Sequence, residues 1–93
     1  MYLGVDLGTS RIVIYEPTAG VVLDEPAVIA LDSRSGEVIA YGAEAQEMLG
    51  RTPGSIRAEC PVKNGVIAEF ELAEKLLRHC LHRVCSNRIT KPV

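Results

Sequence analysis

Val5-Asp6-Leu7-Gly8-Thr9-Ser10-Arg11 decides how the rest of the chain is read. An apolar run, Tyr2 to Leu7, meets a second β-branched run, Ile12-Val13-Ile14-Tyr15, through a segment with one glycine and two hydroxyls. A carboxylate therefore stands where a strand ends and a tight turn begins. Gly8 is expected to permit positive φ and close backbone approach to a ligand, and Thr9, Ser10 and the turn amides can donate hydrogen bonds to an anion. Asp6 repels phosphate directly but can hold a hydrated Mg²⁺ that binds phosphate oxygens in turn. These residues alone fit two readings: a phosphate loop, or a plain hairpin with an acidic corner.

Further blocks carry a resemblance. Asp6-Leu7-Gly8-Thr9 after an N-terminal strand resembles the first phosphate loop of the actin, heat-shock chaperone and sugar kinase superfamily. Four more stretches are similar to the bacterial rod-shape proteins of the MreB family. They are Gly20 to Val28, Gly42-Ala43-Glu44-Ala45, Glu47 to Gly54 and Lys63 to Phe70. The likeness runs from about Tyr2 to Val84, and Met48-Leu49-Gly50-Arg51-Thr52-Pro53-Gly54 argues against a chaperone or a cell-division member of the superfamily.

The resemblance implies an α/β fold, the N-terminal subdomain of an actin-like, ribonuclease H-like ATPase. It would be incomplete, with antiparallel strands, an amphipathic helix and a small α/β insertion. It divides the chain into opening strands with the phosphate loop at 1–31, the insertion at 32–64, and a return strand and helix at 65–93. It implies ATP and Mg²⁺ as cofactors, with Asp6, Gly8, Thr9, Ser10 and Arg11 at the nucleotide and Asp6 holding the metal through water. It further implies filaments formed by self-association, cell-elongation proteins as partners, a place on the cytoplasmic face of the membrane, and control of cell shape. The insertion is expected at subunit contacts. A second phosphate loop, an adenine pocket and a water-activating acid do not occur in these 93 residues, so this span alone is expected not to hydrolyse ATP. The alternative is an interaction domain that keeps the fold without the nucleotide.

Three residues depart from the family pattern. Arg11 stands where a small polar Asn is usual, and its guanidinium would either grip phosphate oxygens or block the cradle. Glu69 and Glu71 likewise replace shorter residues at the start of the last helix, where Glu is a poorer cap.

Composition supports a small globular domain: 47% hydrophobic and 24% charged residues are ordinary values. Ten basic against twelve acidic residues leave no positive field for nucleic acid. No apolar stretch approaches the ~20 residues of a membrane span, and no signal-peptide layout opens the chain, which reads as cytoplasmic. Cys60, Cys80 and Cys85 lack a framework spacing and read as reduced thiols.

Along the chain, strands are expected at Tyr2–Leu7, Arg11–Glu16, Ala27–Leu31 and Glu37–Tyr41, with turns at 16–20 and 32–36. Pro26 is expected to delay the third strand to Ala27. Ala43 to Leu49 reads as a short helix ending at Gly50, followed by a loop at Arg51-Thr52-Pro53-Gly54. Asn64-Gly65 favours a type I′ hairpin. Ala73, Leu76, Leu77, Cys80, Leu81 and Val84 trace one stripe of a helix from Phe70, with Glu71, Glu74, Lys75 and Arg78 opposite, closing at Asn87-Arg88. His79, Cys80, His82 and Cys85 cannot converge on zinc from one helix.

Overall fold

The computed structural model describes residues 2–49 and 54–90, with side chains described through Ser86. Gly50 as a helix stop, the Arg51-Thr52-Pro53 loop and the last three residues lie outside the described residues.

The first sheet is an antiparallel meander of β1 (Gly4–Leu7), β2 (Arg11–Glu16) and β3 (Gly20–Pro26), with β2 in the middle. Alternation along β2 sends Ile12, Ile14 and Glu16 inward, and both isoleucines are fully buried. Ile14 lies opposite Val5 and Leu23, and Ile12 opposite Leu7 and Glu25. The β2–β3 turn closes as expected. Glu16 accepts hydrogen bonds from the Thr18 hydroxyl and from the Thr18 and Ala19 amides, and Gly20 takes φ 81°. That network satisfies a carboxylate that is otherwise buried.

The third strand of this sheet is Gly20–Pro26, not the expected Ala27–Leu31. The apolar run after Pro26 instead forms β4 (Ile29–Asp32), the centre of a second antiparallel sheet with β5 (Val38–Tyr41) and β6 (Ile56–Glu59). The run is continuous because β4 is covered on both faces. Ile29 and Leu31 join the first core, whereas Val28 and Ala30 pack with Ala40 and Ala45 in a second cluster. β6 was not anticipated, although Ile56-Arg57-Ala58-Glu59 alternates apolar with charged residues. Asp32 anchors the polar turn after β4 by accepting from the Arg34 amide at 2.8 Å.

Helix α1 (Gly42–Leu49) follows β5 directly and lies against the second sheet through Ala45. Its short sequence has no Ser, Thr, Asp or Asn at the start, so its first amides need partners from elsewhere. The Gly42 amide donates to the Val28 carbonyl at 2.9 Å, and the Ala43 amide donates to Glu25 Oε1 at 2.8 Å. A residue of the first sheet thus caps a helix of the second.

Strands β7 (Val62–Lys63) and β8 (Val66–Ile67) form the expected small hairpin, with Asn64 at φ 54° and Gly65 at φ 77°, the signs a type I′ turn requires. Glu69 then stands at the N-cap of α2 (Phe70–Thr90), its carbonyl accepting from the Ala73 amide. Ala73, Leu76, Cys80 and Val84 are buried along the predicted stripe, and Leu76, Cys80 and Val84 complete the core under Ile12, Ile14 and Leu23. Glu71, Glu74, Lys75 and Arg78 face solvent. The helix continues through Thr90 rather than closing at Asn87-Arg88, because neither residue breaks a helix and the next proline is Pro92.

Candidate functional site

Asp6 sits near the end of β1, directly opposite Val13, with Leu7 opposite Ile12. The Gly8 amide donates to the Arg11 carbonyl at 2.9 Å, which closes a tight turn over Thr9 and Ser10. Two contacts fix this turn from either side. The Ser10 carbonyl accepts from the Ala27 amide at 2.9 Å, and Thr9 Oγ1 accepts from the Gly65 amide at 3.2 Å. The hairpin at Asn64-Gly65 therefore leans on a turn 56 positions earlier. A hydroxyl that accepts one bond keeps its own hydrogen to donate, so Thr9 remains able to bind an anion.

Gly8 does not have positive φ, contrary to expectation. Nor is it crowded, since a Cβ there would meet only the Arg11 carbonyl oxygen, at an ordinary 3.5 Å. The turn is thus uncrowded at Gly8, and the missing side chain leaves its backbone uncovered for a phosphate to approach. Asp6, Thr9, Ser10 and Arg11 are exposed, and with Gly8 they lie on or beside this one turn.

Arg11 is not free. Its Nε donates to Asp24 Oδ1 at 2.6 Å, an ion pair across the β2–β3 ladder. Asp6, Val13 and Asp24 are directly opposed across the three strands, so Asp6, Arg11 and Asp24 share the outer face. Among the described residues no three His, Cys, Asp or Glu side chains converge on a metal. A cation at Asp6 would thus take one carboxylate from this face and complete its oxygen shell with water and phosphate, the arrangement Mg²⁺ favours. The donor set and the open space fit a metal-bound phosphate.

A second polar cluster lies where α2 meets the second sheet, around a cavity of about 540 Å³. Glu25 is its centre: Oε1 caps α1 while Oε2 lies 3.6 Å from Arg83 Nη1. The His79 ring stacks on Tyr41 with centroids 4.3 Å apart. Burial and the neighbouring Arg83 guanidinium hold His79 below its usual 6.5, outweighing Glu25 and Glu44. Burial pushes the Cys80 thiol up to about 11. Sequence reasoning missed Asp24 and Glu25 as functional positions, yet the signal was visible. Two adjacent carboxylates interrupt an apolar run, one for each face of the strand.

A three-stranded meander with an exposed carboxylate at its first turn, a helix across its inner face and a small sheet inserted between them form the N-terminal part of an actin-like fold. The crystal structure of MreB5 of Spiroplasma citri bound to ADP matches with a TM-score of 0.78 at 38% identity, over 90% of this chain and 26% of that one. The AMPPNP-bound structure of the same protein gives 0.73 at 40% identity, over 83% and 23%. A sequence profile described as MreB/Mbl protein matches residues 1–93, and the chain belongs to the MreB/Mbl family. Cell shape-determining protein Mbl of Bacillus subtilis is 50% identical over 88% of this chain and 25% of its own length. Cell shape-determining protein MreB of Escherichia coli K12 is 47% identical over 97% and 27%. The chain spans about a quarter of the length of these relatives.

Proposed function

We propose that this chain supplies the first phosphate loop of a nucleotide-binding, filament-forming cytoskeletal protein that determines cell shape. The observation that carries the reading is the turn after β1. Gly8 has neither positive φ nor crowding, and an exposed carboxylate and two exposed hydroxyls belong to the same turn, next to an arginine that Asp24 holds. Solved relatives with this fold hold ADP and AMPPNP. On this reading Asp6 orients Mg²⁺ through water, Thr9 and Ser10 donate to phosphate oxygens, and Gly8 admits them. The bound ATP and Mg²⁺ would supply the polarised phosphate on which hydrolysis acts, with the remaining groups outside this span.

The relatives' names support the cell-shape role; self-association into filaments and work with elongation proteins at the cytoplasmic face of the membrane are part of the same proposal and rest on the family resemblance. No helix among the described residues is long and apolar enough to cross a membrane. Assignment of 1–31 and 65–93 to a large subdomain and 32–64 to an insertion belongs to the same proposal. The sheets favour an insertion that begins slightly earlier, since β4 pairs with β5 and β6.

The test is calorimetric titration of the longest natural form of the chain with MgATP, comparing Asp6→Asn with wild type. Removing the charge at a metal-anchoring carboxylate should weaken binding about 10- to 100-fold, since charge-assisted contacts are worth about 1.5–3 kcal/mol. The thermal midpoint should stay within about 1 °C because an exposed side chain contributes little to folding. Unchanged affinity would make Asp6 a hairpin corner and favour the nucleotide-free interaction domain.

A further inference from the structure

The outer face of the first sheet holds one charge that the phosphate-loop reading does not use. Asp24 lies opposite Val13, in the same row as Asp6, and its Oδ1 accepts the Arg11 Nε hydrogen bond at 2.6 Å. Arg11 is two positions from Val13 and its carbonyl closes the Gly8 turn, so the residue belongs to the candidate site while its side chain is held by Asp24. We propose that Asp24 is a positioning residue that draws Arg11 away from the phosphate loop and makes anion binding there depend on a divalent cation.

The inference rests on the reading of Asp6 to Arg11 as a phosphate loop and concerns its regulation. Two carboxylates against one guanidinium give this face a net formal charge of minus one. A bare phosphate therefore meets repulsion, whereas a divalent cation at Asp6 reverses the sign. The Arg11 fork has five donors, and Asp24 on the neighbouring strand engages the one on Nε. The side chains are 54% and 48% exposed, so the pair is screened and can exchange with a competing anion. Asp24 thus sets a threshold that Arg11 alone would remove.

The test is a double-mutant cycle in the longest natural form of the chain, read as ADP affinity by calorimetry in EDTA and in excess Mg²⁺. Asp24→Asn should raise metal-free ADP affinity about two- to fivefold, the worth of one exposed ion pair, with a smaller change for MgADP. Arg11→Gln should lower metal-free affinity, and adding Asp24→Asn to it should restore less than Asp24→Asn gains when Arg11 is present. Asp24→Ser should behave as Asp24→Asn does, which separates loss of the charge from any fault of one variant. Unchanged or weaker metal-free binding in Asp24→Asn would overturn the proposal. So would a gain as large without Arg11 as with it, since Asp24 would then act by its charge alone and not through Arg11. Failure of the underlying reading looks different: Asp6→Asn would leave MgADP affinity intact, whatever the cycle shows.

Discussion

Replacing Gly42 by Ala should damage one end of the molecule in a way the structure lets us apportion. Gly42 begins α1 with φ 63°, a left-handed conformation that costs Ala about 1–2 kcal/mol. A Cβ at this position would also collide with Glu25 Oε1 and lie 3.3 Å from Glu25 Cβ. Because the stem of Glu25 is crowded along with its tip, rotating the carboxylate does not clear the clash. Glu25 must shift, and its hydrogen bond to the Ala43 amide goes with it. Loss of such a cap is worth about 0.5–2 kcal/mol. The combined effect is about 1.5–4 kcal/mol, equivalent to a ~13- to 900-fold change in an opening equilibrium. Hydrogen exchange of the amides in Gly42–Leu49, followed by mass spectrometry, reads that opening directly. Gly36→Ala is the control, since Gly36 has φ 76° but open space around it, and should show only the conformational part. Equal effects at the two glycines would refute the claim that Glu25 links the first sheet to α1. No effect at Gly42 would refute the strain argument as well.

Two further outcomes follow from the polar cluster around α2. His79 is held below its usual 6.5, so the unfolded chain takes up a proton before the folded one does. The stability it contributes is present above pH 6.5 and declines as pH falls through its folded value. Its ring resonances should titrate below 6.5, and His79→Gln should flatten the pH dependence of unfolding in that window; a titration at or above 6.5 would contradict the burial argument. Cys80, buried and pushed up to about 11, should resist iodoacetamide at pH 8 while the partly exposed Cys60 and Cys85 react, as peptide mapping would show. Alkylation of Cys80 at the rate of Cys85 would mean that α2 does not stay seated on the sheet.

Much of the molecule was written locally. The stripe Ala73, Leu76, Cys80, Val84 needed only helical period, and the hairpin at Asn64-Gly65 only the positive φ that those residues tolerate. The five residues of the candidate site were legible for the same reason, because they are consecutive or nearly so and one tight turn gathers them. β6 shows the limit of such reading. Its four residues alternate correctly, but a short strand is stabilised only by the neighbour it pairs with, here Ala30 and its flanks.

What the sequence by itself determined is which residues turn, which pair at short range and which face of α2 is apolar, since each is set by interactions within a few positions. Only the tertiary structure decided where the apolar run after Pro26 belongs. Val28 to Leu31 satisfies either sheet in isolation and was drawn into the second by burial on both sides. It also decided the roles of the adjacent carboxylates Asp24 and Glu25. They point to opposite faces of one strand, so one meets Arg11 in solvent and the other caps a helix 18 positions later. No pattern within a few positions encodes those partners: Arg11 is supplied by the adjacent strand of the same meander, and the Ala43 amide reaches Glu25 only once the two sheets have packed.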